Sequence, residues 1–348
     1  MNKYFYGVAL LALAGLCASC GGSGTHVLYV LSPGASEVTG YTISGASLSE
    51  VATPVTTGLD PVSLAVHPSG NFLYAADSAA NEISVLSIGG SGEYSLVSTN
   101  ASNLSEPIAV AADPSGAYLY AANGGGNTLA AFSVDTSSGS LAPITGSPFS
   151  TPFRPKCMIE SPVLTVLYAG SQGFVWEIPM APTGPEEYLS FSGAGNPSAL
   201  AIDPANRFLY VADSSANVVY AYTIASDGSV ALVSGAPFAA GGSTPVAMAI
   251  DPSGSFLYVV DKGSNWVSGF AIDQTTGALT AVSGSPFSVG TAPVSAAFDG
   301  NTGNLYISNQ GSNNVSSFSM SSTSGVLSSL GAAAAVSSGP AAIVIVDK

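Results

Sequence analysis

The chain has 348 residues with only 6 Lys or Arg and 21 Asp or Glu, so charged side chains make up 8% where soluble domains carry roughly 25%. A formal net charge of -15 leaves no basic stripe to neutralise phosphates, which excludes nucleic-acid binding. Hydrophobic residues reach 47%, yet no apolar run approaches the roughly 20 residues of a membrane-crossing helix, and the aromatic and β-branched content excludes a disordered chain.

Residues 1–20, MNKYFYGVALLALAGLCASC, hold one cation (Lys3), an apolar stretch from Tyr4 to Leu16 too short to span a bilayer, and small residues up to Cys20. Cys17-Ala18-Ser19-Cys20 followed by Gly21-Gly22-Ser23-Gly24 resembles a bacterial lipoprotein signal. That resemblance implies removal of residues 1–19, acylation of Cys20, a tether over 20–26, and a cell-envelope location facing the periplasm or the exterior. Loss of Lys3 leaves five cations against 21 acids, a net charge of -16, and Cys157 as the one free thiol. Without a disulfide framework, stability must come from packing.

From Val27 onward the chain repeats. Tyr29, Tyr74, Tyr120, Tyr168, Tyr210, Tyr258 and Tyr306 recur at spacings of 45, 46, 48, 42, 48 and 48 residues. A proline stands 13 residues before each of the last six, from Pro61 to Pro293, and an apolar residue stands 14 after six of the seven. Such a period marks a repeat architecture. In the unit Pro245 to Ile272, strands are predicted over 246–250, 256–260 and 267–272. The first two are joined by Asp251-Pro252-Ser253-Gly254, whose residue order suits a type I turn. An outer strand follows, from Leu279 toward Phe287. Four short antiparallel strands in each of seven units describe an all-β, seven-bladed β-propeller. The first unit enters at its second strand, and the missing proline-led strand reappears as residues 340–347. The C-terminal strand is therefore expected to complete the first blade and close the ring of a single, monomeric domain over 27–348.

A polar pair follows the tyrosine strand in five units: Asp77 with Asn81, Asn123 with Asn127, Asp213 with Asn217, Asp261 with Asn265, and Asn309 with Asn313. Either these side chains bond the backbone of their own turns, or Asp77, Asp213 and Asp261 head a ring of oxygen ligands for Ca²⁺ or sugar hydroxyls. No other cofactor is expected. Blade four breaks the pattern. Tyr168 to Ile178 spans 10 residues instead of 14, the polar pair is gone, Arg154, Lys156 and Cys157 lie just upstream, Glu160 is read into the turn slot where other blades have Asp, and Trp176 is on the third strand. An irregular blade on a regular scaffold is a reasonable place for function. Arg154, Lys156, Trp176 and Lys262 are the expected ligand-binding residues, since scarce cations in an acidic protein focus a local field. His26, in the tether, and His67, in a turn, read as structural, and no Ser-His-Asp or His-x-x-x-His arrangement supports triad hydrolysis or zinc.

The unit P-x-x-L/M-A-I/V-D-P-S-G-x-F-L-Y-V-A-D-x-x-x-N-x-V, best kept in residues 197–220 and 245–270, resembles the YVTN-type repeats of the lactonase-like propeller family that includes bacterial 6-phosphogluconolactonase. The resemblance implies sugar-lactone hydrolysis at a Gly-Pro-Arg-His segment that handles the phosphorylated lactone. The nearest counterpart is Arg154-Pro155-Lys156-Cys157, with Lys156 in the Arg place and Cys157 in the His place. Lys156, Cys157 and Glu160 are thus the catalytic candidates, without the imidazole that titrates near neutrality. The function expected first is a lipid-anchored ligand-binding or scaffold protein of the cell envelope. The alternatives are a lactone hydrolase using blade four, and a polysaccharide or envelope-protein interaction module using the Asp/Asn face.

Overall fold

Seven antiparallel sheets stand around one axis in a computed structural model that describes residues 25–45 and 47–348. The expected leader over 1–19 and the expected lipidation site, Cys20, lie outside the described residues. The inner strands, in ring order, are Ala342–Asp347, Pro61–Val66, Pro107–Ala112, Cys157–Glu160, Pro197–Ile202, Pro245–Ile250 and Pro293–Phe298. Each packs against its two neighbours, and Ala342–Asp347 joins the last blade to the second. Ring closure is as expected: Ala342–Asp347 pairs with His26–Ser32, placing Val344 opposite Tyr29, so the first blade is assembled from both ends of the chain. The ladder starts earlier than the sequence suggests. Thr25 and Lys348 exchange two backbone hydrogen bonds and His26 opens the strand, so the propeller takes in residues 25 and 26, which the sequence reading left outside it.

The outer strand is continuous in blade two, Tyr94–Asn100, and split elsewhere into two segments that both pair with the third strand, as in Leu279–Ala281 and Phe287–Ser288. In blades three, five and six the break holds Pro148, Pro237 or Pro286, which cannot donate to a ladder. The core lies between blades. One cluster joins Tyr74 and Val85 of blade two to Leu119 and Phe132 of blade three, and another joins Tyr306 of blade seven to Leu28 and Ile343 of blade one.

The recurrent tyrosine has a structural cause. Its ring is buried between blades and its hydroxyl donates to a turn carbonyl of the next blade: Tyr29 to Gly92, Tyr168 to Gly228, Tyr210 to Gly277 and Tyr258 to Gly325. The accepting turn needs glycine. At Gly277 φ is +77°, and a Cβ would lie 2.5 Å from the Phe208 ring.

Candidate functional site

All inner strands enter from one face of the disc, which also carries the turns between second and third strands. On this face the Asp/Asn pairs divide into two roles. The five Asn residues have positive φ, between 49° and 58°. Four of them accept a backbone N–H from the next blade at 2.7 Å: Asn81 from Glu106, Asn217 from Thr244, Asn265 from Ala292 and Asn313 from Gly339. They latch blade to blade instead of bonding their own turns. Asp213 does bind locally. Burial alone would raise its carboxyl, but hydrogen bonds from Ser215, Ala216 and Asn196 outweigh that and hold it below the ordinary value. Asp77 and Asp261 are fully buried, each accepting a serine hydroxyl at one oxygen, from Ser84 at 2.6 Å and Ser268 at 2.7 Å, with the other oxygen unpartnered. Burial pushes Asp77 up to about 6 and Asp261 to about 7. The structure does not bring Asp77, Asp213 and Asp261 together: among the described residues, the one cluster with metal-ligand spacing excludes all three.

In blade four the turn shrinks to Gln172-Gly173 between Val166–Ser171 and Phe174–Ala181, so no Asn latch remains. Lys156 takes over. Its Nζ donates to Oδ1 of Asn196, the residue before Pro197, and Asn196 in turn donates to the Ser214 hydroxyl at 2.7 Å. Two of the three ammonium protons are left for a ligand. Lys156 is also the sole charged residue at the position after the seven inner-strand prolines, where the others are Val62, Ile108, Ser198, Val246, Val294 and Ala341. Arg154 lies beside it, its Nε donating to the Gly124 carbonyl at 2.6 Å and its guanidinium 3.8 Å from Glu106. Both partners of that ion pair are more than half exposed, so it contributes little and the guanidinium stays available. Trp176 donates its Nε1–H to the Ser171 hydroxyl and stacks on Phe153 with centroids 4.6 Å apart and planes 16° apart. Phe174, 45% exposed, extends this aromatic shelf. Lys262 shares the face but sits two blades away, its Nζ directed to Gln310 of blade seven, and burial lowers its pKa.

The proposed catalytic group does not assemble. Cys157 is buried against blade five: a Cβ on Gly170 would lie 2.5 Å from its sulfur and 2.7 Å from the Pro197 ring. Burial pushes the thiol up to about 12, so it is protonated and inert at neutral pH. Its slot holds Ser63 in blade two and Ser295 in blade seven, whose hydroxyls accept N–H groups of the next inner strand. Glu160 stands at the far end of the same strand, about 13 Å from Lys156 at 3.3 Å per residue. It does not fill the turn slot read for it. Ser161 does, accepting the N–H groups of Val163 and Leu164, while Glu160 occupies a strand position that is Ile202 and Ile250 elsewhere. Both Glu160 oxygens are buried without a hydrogen-bond partner, and burial, reinforced by Asp113, raises its pKa well above the carboxylate range.

Sequence reasoning missed Phe153 and Asn196. The first had a signal, because the second residue before the inner proline is Ser, Thr or Gly in five of the other blades.

The family model for "Lactonase, 7-bladed beta-propeller" matches residues 23–158 and 159–295. Among solved structures, a Bacteroides uniformis ATCC 8492 protein named, as a proposal, for 6-phosphogluconolactonase activity is 20% identical, with a TM-score of 0.80 over 93% of this chain and 100% of that one. A Bacteroides fragilis NCTC 9343 protein named in the same way is 18% identical, with a TM-score of 0.79 over 95% and 100%. The periplasmic gluconolactonase PpgL of Pseudomonas aeruginosa is 21% identical, with a TM-score of 0.77 over 92% and 99%. No curated protein matches the chain. These likenesses carry the fold, and the family model covers most of the sequence: the chain belongs to the lactonase family of seven-bladed β-propellers.

Proposed function

We propose that this is an exported protein, held at the cell envelope through Cys20, that binds an anionic sugar derivative at the blade-four edge of the channel mouth without hydrolysing it. The observation that carries the reading is Lys156, the single charge in the ring of residues following the inner prolines, with Arg154 and the Phe153–Trp176 shelf beside it. Two cations suit a carboxylate or phosphate, and an aromatic face suits the apolar side of a sugar ring. The names of the structural neighbours point to the same ligand class, sugar acids and their lactones. Binding without turnover follows from chemistry, because the thiol in the His place is buried and protonated and Glu160 is a strand length away.

Calorimetric titration with 6-phosphogluconate tests this. Removing a charged hydrogen-bond donor costs about 1.5–3 kcal/mol, so Lys156→Ala should weaken binding roughly 10- to 150-fold. Asn196→Ala, which removes the tie but keeps the ammonium, should lower stability and leave affinity within a few-fold. Absence of binding by the unmodified protein, or equal binding by Lys156→Ala, would remove the reading.

A further inference from the structure

The two ends of the described chain bring a second set of ligating side chains together, on the opposite face of the disc. His26 opens the second strand of blade one and Asp347 ends its inner strand, directly opposite in the ladder, so their side chains leave the same side of the sheet. Asp299 meets them from the turn that follows the inner strand of blade seven. His26 Nδ1 is 2.9 Å from Asp347 Oδ1 and 3.1 Å from Asp299 Oδ1, and all three ligand atoms lie within 4.8 Å of one another. Nδ1 is buried, yet neither contact has hydrogen-bond geometry. An octahedral ion with bonds of about 2.1 Å holds adjacent ligands about 3.0 Å apart, the separation of His26 Nδ1 from each of the two carboxylate oxygens.

We infer that His26, Asp299 and Asp347 form a three-ligand site for a six-coordinate first-row divalent cation that clamps the ring closure. Asp299 is fully buried, its Oδ1 accepting the N–H groups of Asn301 and Thr302 and its Oδ2 the Thr302 hydroxyl at 2.7 Å. Such partners fix the orientation of a ligating carboxylate. The side chains of His26 and Asp347 are 21% and 43% exposed, which opens the remaining coordination positions to water. Asp347 is not a by-product of the repeat: its place is proline in five blades and Gly300 in the other. One imidazole with two carboxylates suits Mn²⁺, Co²⁺ or Ni²⁺, with affinity rising toward Ni²⁺. Bound there, the ion joins the first and last strands to blade seven.

The test is titration of the chelator-treated full chain with Ni²⁺ and with Co²⁺, read by calorimetry, thermal unfolding and visible absorption. At a hundredfold excess over Kd the Tm should rise by about 5 °C, and the Co²⁺ form should show the weak bands of six-coordination. Asp347→Asn, conservative and partly exposed, should weaken binding at least tenfold, as should His26→Gln. A full chain whose Tm ignores both metals overturns the site, as does metal binding that survives unchanged in the folded Asp347→Asn protein.

Discussion

Deletion of residues 340–348 is expected to yield a chain that does not fold and that aggregates. The segment supplies the whole inner strand of blade one, and Ala342, Ile343, Val344, Ile345 and Val346 are all at most 9% exposed. Burying an aliphatic side chain contributes about 1.5–3 kcal/mol, so the four larger residues alone contribute roughly 6–12 kcal/mol, comparable to the entire stability of a typical domain at about 5–15 kcal/mol. The deletion also uncovers the paired edge of His26–Ser32 and removes the tie from the Ile343 N–H to the Ser295 hydroxyl. Circular dichroism and size-exclusion chromatography check this. A truncated monomer that keeps its β signal and Tm would show that the ring does not depend on its closing strand.

The second large effect concerns pH. Asp77 and Asp261 are buried carboxyls raised from 3.8 to about 6 and about 7, chiefly by desolvation. The folded protein holds these protons more tightly than the unfolded chain does. Their contribution is therefore complete below 3.8 and is lost as pH rises through 6 and 7, leaving two buried charges above that range. Stability should fall across this window. Blades three and seven show the remedy, with Asn123 and Asn309 in the same slot and Asn309 donating to the Ser316 hydroxyl at 2.9 Å, as Asp77 accepts from Ser84. The double variant Asp77→Asn/Asp261→Asn should flatten the pH profile and gain roughly 3 kcal/mol at pH 8, about half the full desolvation figure once local relaxation is allowed for. Urea unfolding from pH 4 to 8 reads both effects. A variant less stable at pH 8, with the loss seen only in added calcium, would instead make these carboxylates cation ligands.

The blade count, the closure and the irregular blade were legible because they follow from slots that every interface must fill: a tyrosine reaching the next turn, a proline opening the inner strand, a glycine beneath a ring. What could not be read were contacts whose partner lies a blade away. Asn265 sits in a turn-like sequence, but its acceptor oxygen is used 27 residues later, at Ala292. Alternation places Cys157 on a strand without saying that its side faces Pro197. Glu160 slipped by one position because the blade-four turn, Ser161-Pro162-Val163-Leu164, lacks both the Asp and the Gly that anchor the count elsewhere. His26, Asp299 and Asp347 meet only once the ring is closed.

On the proposed function, blade four presents a binding site from which the hydrolytic group is missing. Incubation of the purified protein with 6-phosphogluconolactone, following acid release against the spontaneous rate, tests it most directly. The expected result is a rate indistinguishable from the protein-free control, together with saturable binding of 6-phosphogluconate. Saturable turnover that disappears in Lys156→Ala would contradict it and establish a lactone hydrolase.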